Sequence, residues 1–154
     1  MSASSLRPLL DIIDRLASAW RQLDEGNEAF LSGEISAERL DPLLEQREVG
    51  FAESRHFEEE LIVVFQECFP ERKETDFGKI WDGLSREPAA EDRMIPARKA
   101  LERLVESNKR VEERLKSARE DLNAQIKQTR KTGRALRGYT QANPMGSCFI
   151  DKIK

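Results

Sequence analysis

"RKALERLVESNKRVEERLKSAREDLNAQIKQTRKTGRALR", residues 98–137, decides the fold. The stretch has no proline, one glycine and a single repeating seam: Leu101, Leu104, Asn108, Val111, Leu115, Ala118, Leu122, Ile126, Thr129, Gly133 and Leu136. Steps of three and four residues place all of these on one face of an α-helix. After Ala118 two steps of four follow each other, the stutter that locally unwinds a coiled coil. One helix is therefore predicted from about Ala89 to Arg137, with Pro96 marking a kink or a later start and Gly138 as the C′ stop. At 1.5 Å per residue it spans roughly 60–70 Å.

Working outward, the segment from Ser5 to Ser32 has the same periodicity through Leu6, Leu9, Ile13, Leu16, Trp20, Leu23 and Phe30, with Asn27 in the seam. It predicts a helix of about 40 Å, with Pro8 tolerated near its start and Gly33 as its stop. A second helix starts at Ser36 or at Asp41–Pro42 and runs to Phe69 through Leu43, Leu44, Phe51, Phe57, Leu61, Phe65 and Cys68. Its "LIVVF" (61–65) has strand propensity, but no second strand exists to pair with it. A short helix follows at Asp76–Leu84, and "SREPAAED" (85–92) is a turn. The expected fold is all-α: an elongated antiparallel bundle of three long, coiled-coil-like helices, one short extra helix and an irregular C-terminal tail. Residues 1–137 form the bundle domain and 138–154 the tail.

Because the last helix outruns its partners, part of it overhangs. Val111, Leu115, Leu122, Ile126 and Leu136 are the candidate partner-binding residues, since an exposed apolar helix face marks a binding site.

Composition agrees with long amphipathic helices: 36% of residues are charged and 6% aromatic. No run approaches the roughly 18 apolar residues of a membrane span, and the N-terminus lacks the apolar core of a signal peptide. Cys68 and Cys148 have no metal-ligand or redox spacing, so a reducing cytoplasm is the expected location. The net charge of −3 hides an asymmetry. Residues 1–97 carry 11 basic and 22 acidic groups, whereas 98–137 carry 13 basic and 6 acidic ones. Beyond Asp121 the helix is purely basic: Lys127, Arg130, Lys131, Arg134 and Arg137. Cations near a helix C-terminus complement its dipole. Missing aromatic interleaving and a negative total argue against a nucleic-acid partner.

No catalytic constellation emerges. Glu53 and His56 have Glu-x-x-His spacing, but a di-iron bundle needs that motif twice and His56 is the only histidine. As a phosphoryl acceptor His56 would want cations nearby, and Glu58, Glu59 and Glu60 follow it instead. There is no glycine-rich phosphate loop and no nucleophile with a base. Neither enzyme activity, nor a metal, nor a cofactor is expected. Asn27 and Asn108 read first as register devices, buried amides that penalise slipped helices, and second as hydrogen-bonding groups for an incoming helix.

At this point the chain resembles a family. "QLDEGNEAFLSGE" (22–34), "LDPLLEQREVGF" (40–51), "LERLVESNKRVEERL" (101–115) and a tail with Tyr139 and "SCFID" (147–151) are similar to flagellar export chaperones of the FlgN/FliT type. The resemblance implies a cytosolic, non-enzymatic chaperone. Such a protein binds the terminal amphipathic helix of a flagellar axial protein (hook–filament junction or cap), prevents premature polymerisation and delivers it to the type III export apparatus. The alternative is a self-associating coiled-coil scaffold or adaptor without a secreted client; a weak homodimer is compatible with either. Tyr139, Phe149 and Ile150 are expected to act as a latch over the exposed seam or as a docking strip for the export gate.

Overall fold

The computed structural model describes residues 3–141. Among them the chain forms α1 (Ala3–Leu31), α2 (Ala37–Cys68), α3 (Phe77–Ser85), a 3₁₀ turn at Pro88–Ala90 and α4 (Glu91–Gln141), with no strand. It divides into two compact units, Met1–Val111 and Glu112–Lys154. "LIVVF" lies inside α2. With no neighbouring strand to satisfy its backbone groups, the local propensity of that segment loses to intrahelical hydrogen bonding.

The first unit is organised around α1. Leu6, Leu9, Ile13 and Leu16 are fully buried, and Trp20, Leu23 and Phe30 nearly so. Each such side chain contributes about 1.5–3 kcal/mol of hydrophobic stabilisation. Leu61 and Phe65 of α2, Ile80 and Leu84 of α3, and Ala90, Met94, Ala97, Ala100 and Leu104 complete this core. The α3 helix is held by aromatic packing: Trp81 meets Trp20 edge-on with ring centroids 5.5 Å apart. The Trp20 indole N–H, which would otherwise be buried unpaired, donates to Ser54 Oγ at 3.0 Å. Asp76 caps α3 by accepting from the Lys79 N–H.

Paired residues give the helix directions. Arg15 meets Glu60, Trp20 meets Ser54 and Asn27 meets Arg47, so α2 runs antiparallel to α1. Asp14 pairs with Arg93, Asn27 with Ser107, and Glu28 with Arg110, so the first part of α4 runs parallel to α1.

Boundaries follow the sequence closely but not always for the expected reason. Ser36 rather than Asp41 is the N-cap of α2, and Pro42 lies inside the helix. Pro96 likewise lies inside α4. The α1 helix stops at Leu31 without a left-handed cap, since no described glycine has positive φ. The Arg39 guanidinium instead donates to the carbonyls of Ala29, Phe30 and Glu34. Those are orphan acceptors at and just beyond a helix C-terminus, where a cation is electrostatically favoured. Gly33 leaves room for that guanidinium: a Cβ there would meet its tip, which could swing aside only by disturbing these bonds. Gly138 does not end α4, which continues to Gln141. A glycine permits a left-handed stop but does not impose one.

Over its described residues the second unit is the distal part of α4. Arg114, Leu115, Ala118 and Gly133 are half-buried; every other side chain from Glu112 to Arg137 is exposed.

Candidate partner-binding site

The five residues expected to bind a partner differ in burial. Val111 is fully buried and belongs to the chain's own core, so it is removed from the site. Leu115 is half-buried. Leu122, Ile126 and Leu136 are 56%, 41% and 50% exposed. At 3.6 residues per turn Leu122, Ile126, Thr129, Gly133 and Leu136 fall within an arc of roughly 80°. Isolated exposed aliphatics are ordinary on any protein surface, and Leu44, Val63 and Val105 are of that kind. A strip aligned on one helix face over four turns is not.

Charge accompanies the strip. Lys127, Arg130, Lys131 and Arg134 are exposed. By the same helical geometry they and Arg137 occupy an adjoining arc of roughly 120°, directly beside the apolar one. Gln125, Gln128 and Thr132 line the other side without charge. The strip is thus amphipathic and lopsided.

The two seam asparagines are already engaged. Asn27, with no exposed surface, donates from Nδ2 to Ser107 Oγ at 3.0 Å and to Asn108 Oδ1 at 2.7 Å. Arg47 reaches in from α2 and donates to Asn27 Oδ1 at 2.7 Å and to Asn108 Oδ1 at 2.9 Å. Ser107 completes the circuit by donating to the Leu104 carbonyl at 3.2 Å. The network ties three helices at one level, which is the register role. Both ends of the Asn27 amide are used within the chain, and Asn108 contributes its Oδ1 as the shared acceptor. Asn27 and Asn108 were visible in the sequence as separate seam breaks. The part of Arg47 was missed, because a lone arginine in a charged helix gives no signal.

A second concave surface was also missed. Between α1 and α2 lies a groove of about 390 Å³ lined by Ala19, Gln22, Leu23, Pro42, Glu45, Gln46, Val49, Gly50 and Glu53. Gly50 permits the close approach that shapes it: a Cβ there would meet Leu23 Cδ2 at 2.5 Å. Its floor is apolar and its charged rim is acidic.

Glu53 and His56 are both exposed. Glu58 is half-buried on α2. Burial pushes its pKa up from the usual 4.5, Arg55 opposes the rise and Glu59 adds to it. No described helix is long and apolar enough to cross a membrane. Phe149 and Ile150 lie outside the described residues, as does the side chain of Tyr139, whose backbone falls within α4.

No protein-family model matches this sequence, and no curated protein or solved structure is significantly similar to it.

Proposed function

We propose that this protein is an export chaperone that holds the terminal amphipathic helix of a flagellar axial protein against the distal strip of α4. In this reading residues 1–111 are a scaffold in which three long helices form a coiled-coil-like bundle, and Leu115, Leu122, Ile126 and Leu136 are the contact surface. The protein acts in the cytoplasm, keeps its client unpolymerised and passes it to the export apparatus. The observation that carries the reading is the strip of aliphatic side chains on an otherwise polar helix, beyond the last residue of the buried core.

Magnitudes suit a client that must later be released. Each of the four contact side chains is already partly shielded, so covering it gains about 1 kcal/mol, half or less of a full burial. The strip then contributes roughly 4 kcal/mol, and folding a disordered segment onto it costs about 2–5 kcal/mol. Aliphatic contacts alone hold a client weakly, so further contacts must supply the remainder.

The same exposed strip supports the alternative reading, a scaffold that self-associates. The two are separated by co-purification from the native host's lysate with the wild-type chain and with Leu122→Asp/Ile126→Asp. A flagellar axial protein recovered with the wild type and lost with the variant supports the chaperone. Recovery of the chain alone, sedimenting as a dimer that the variant abolishes, supports the scaffold.

A further inference from the structure

We infer that the partner helix carries a row of carboxylates along one flank, and that Lys127, Arg130, Lys131 and Arg134 receive it. The inference rests on the proposed use of the distal α4 strip and specifies the chemistry of what binds there. Charge is distributed unevenly along α4. From Arg98 to Asp121 acidic and basic residues are interspersed, eight basic against six acidic, and most have an opposite charge three or four positions away. From Leu122 to Arg137 there are five cations and no carboxylate. Within this segment Lys127–Arg130, Lys127–Lys131, Arg130–Arg134, Lys131–Arg134 and Arg134–Arg137 are all like-charge neighbours at three or four residues, an arrangement that destabilises an isolated helix. All four named cations are exposed, and no ion pair of theirs is present among the described residues.

A helix dipole accounts for cations in the last turn only, since its field fades within that turn. Lys127 and Arg130 lie three to four turns from Gln141 and need another reason. A partner helix lying on Leu122, Ile126 and Leu136 would run alongside the basic arc and leave the uncharged Gln125–Gln128–Thr132 side open. Carboxylates repeating at three- and four-residue intervals on the facing flank would match it and relieve the repulsion. The thin apolar strip leaves room for such a contribution. Two other anionic partners fit less well. A membrane surface needs a broader apolar face than three aliphatic side chains interrupted by Thr129 and Gly133, and a nucleic acid would leave Leu122, Ile126 and Leu136 uncovered.

The test uses the full-length chain and two synthetic helical peptides with the same leucine spacing, one flanked by glutamates and the other by lysines. The acidic peptide is expected to bind at least about tenfold more tightly at low salt, the worth of two to three exposed ion pairs, and to lose most of that advantage at high salt. Lys127→Glu/Arg130→Glu/Arg134→Glu, with helicity checked by circular dichroism, is expected to reverse the preference. Equal, salt-insensitive binding of the two peptides overturns the inference and leaves the apolar strip standing as a contact surface. Binding of neither overturns both. Tighter binding of duplex DNA or of phosphatidylserine vesicles than of the acidic peptide replaces the helix by that partner.

Discussion

Replacing Asn27 by alanine probes the point at which α1, α2 and the first part of α4 are tied together. The side chain is wholly buried and makes three hydrogen bonds, to Ser107, Asn108 and Arg47. The two neutral bonds contribute about 1 kcal/mol each and the one from the guanidinium about 1.5–3 kcal/mol. The loss is moderated because Arg47 keeps Asn108 Oδ1 as an acceptor, so no buried charge is left without a partner. The expected cost is about 3 kcal/mol, a large part of the 5–15 kcal/mol typical of a folded domain. Urea denaturation followed by far-UV circular dichroism measures it, with Asn123→Ala on exposed distal α4 as the control expected to stay within about 0.5 kcal/mol. A double-mutant cycle with Asn108→Ala should return a coupling of about 1 kcal/mol or more, since the two amides bond directly. A cost for Asn27→Ala no larger than for Asn123→Ala, or a coupling near zero, would refute the network.

Leu122→Asp and Ile126→Asp should each change stability by less than about 0.5 kcal/mol because both side chains are exposed, whereas Leu61→Ala, fully buried, should cost about 2–5 kcal/mol in the same assay. Gly133→Ala should raise helix stability by up to about 1 kcal/mol, since nothing lies within 4 Å of the added Cβ. Gly50→Ala should lose that gain and cost a further 1–3 kcal/mol or so through the clash with Leu23; equal effects at the two sites would contradict the packing of α1 on α2. Glu58 holds its proton more tightly folded than unfolded, so its contribution to stability is fully present below pH 4.5 and is lost as pH rises through its raised folded-state value. Glu58→Gln should therefore be more stable than wild type at neutral pH and lose the advantage in acid, as read by denaturation across a pH series.

How far the sequence reaches differs between elements. Periodicity located the four α-helices of the described residues, because the seams of α1 and α4 repeat strictly and "LIVVF" meets no strand among those residues. It could not distinguish a seam residue that packs inside the chain from one that waits for a partner: Val111 and Leu122 stand in equivalent places on the pattern, yet one is fully buried and the other 56% exposed. Burial is set by the packing around each position, which the spacing of apolar residues does not record. Side chains that act across helices were also illegible. Arg39 closing α1 and Arg47 bridging two asparagines look in sequence like any other surface cation. Gly33 stands at a helix end as its sequence position suggests, but without the left-handed backbone expected of it.

The claim that distal α4 receives a client helix is tested most directly by calorimetric titration of the full-length chain with terminal segments of the host's own hook–filament junction and filament cap proteins. Binding of one such segment by the wild-type chain, with loss of that binding in Leu122→Asp/Ile126→Asp at unchanged helicity, is the predicted result. If no terminal segment binds, or if the double variant binds as tightly as the wild type, the claim is contradicted.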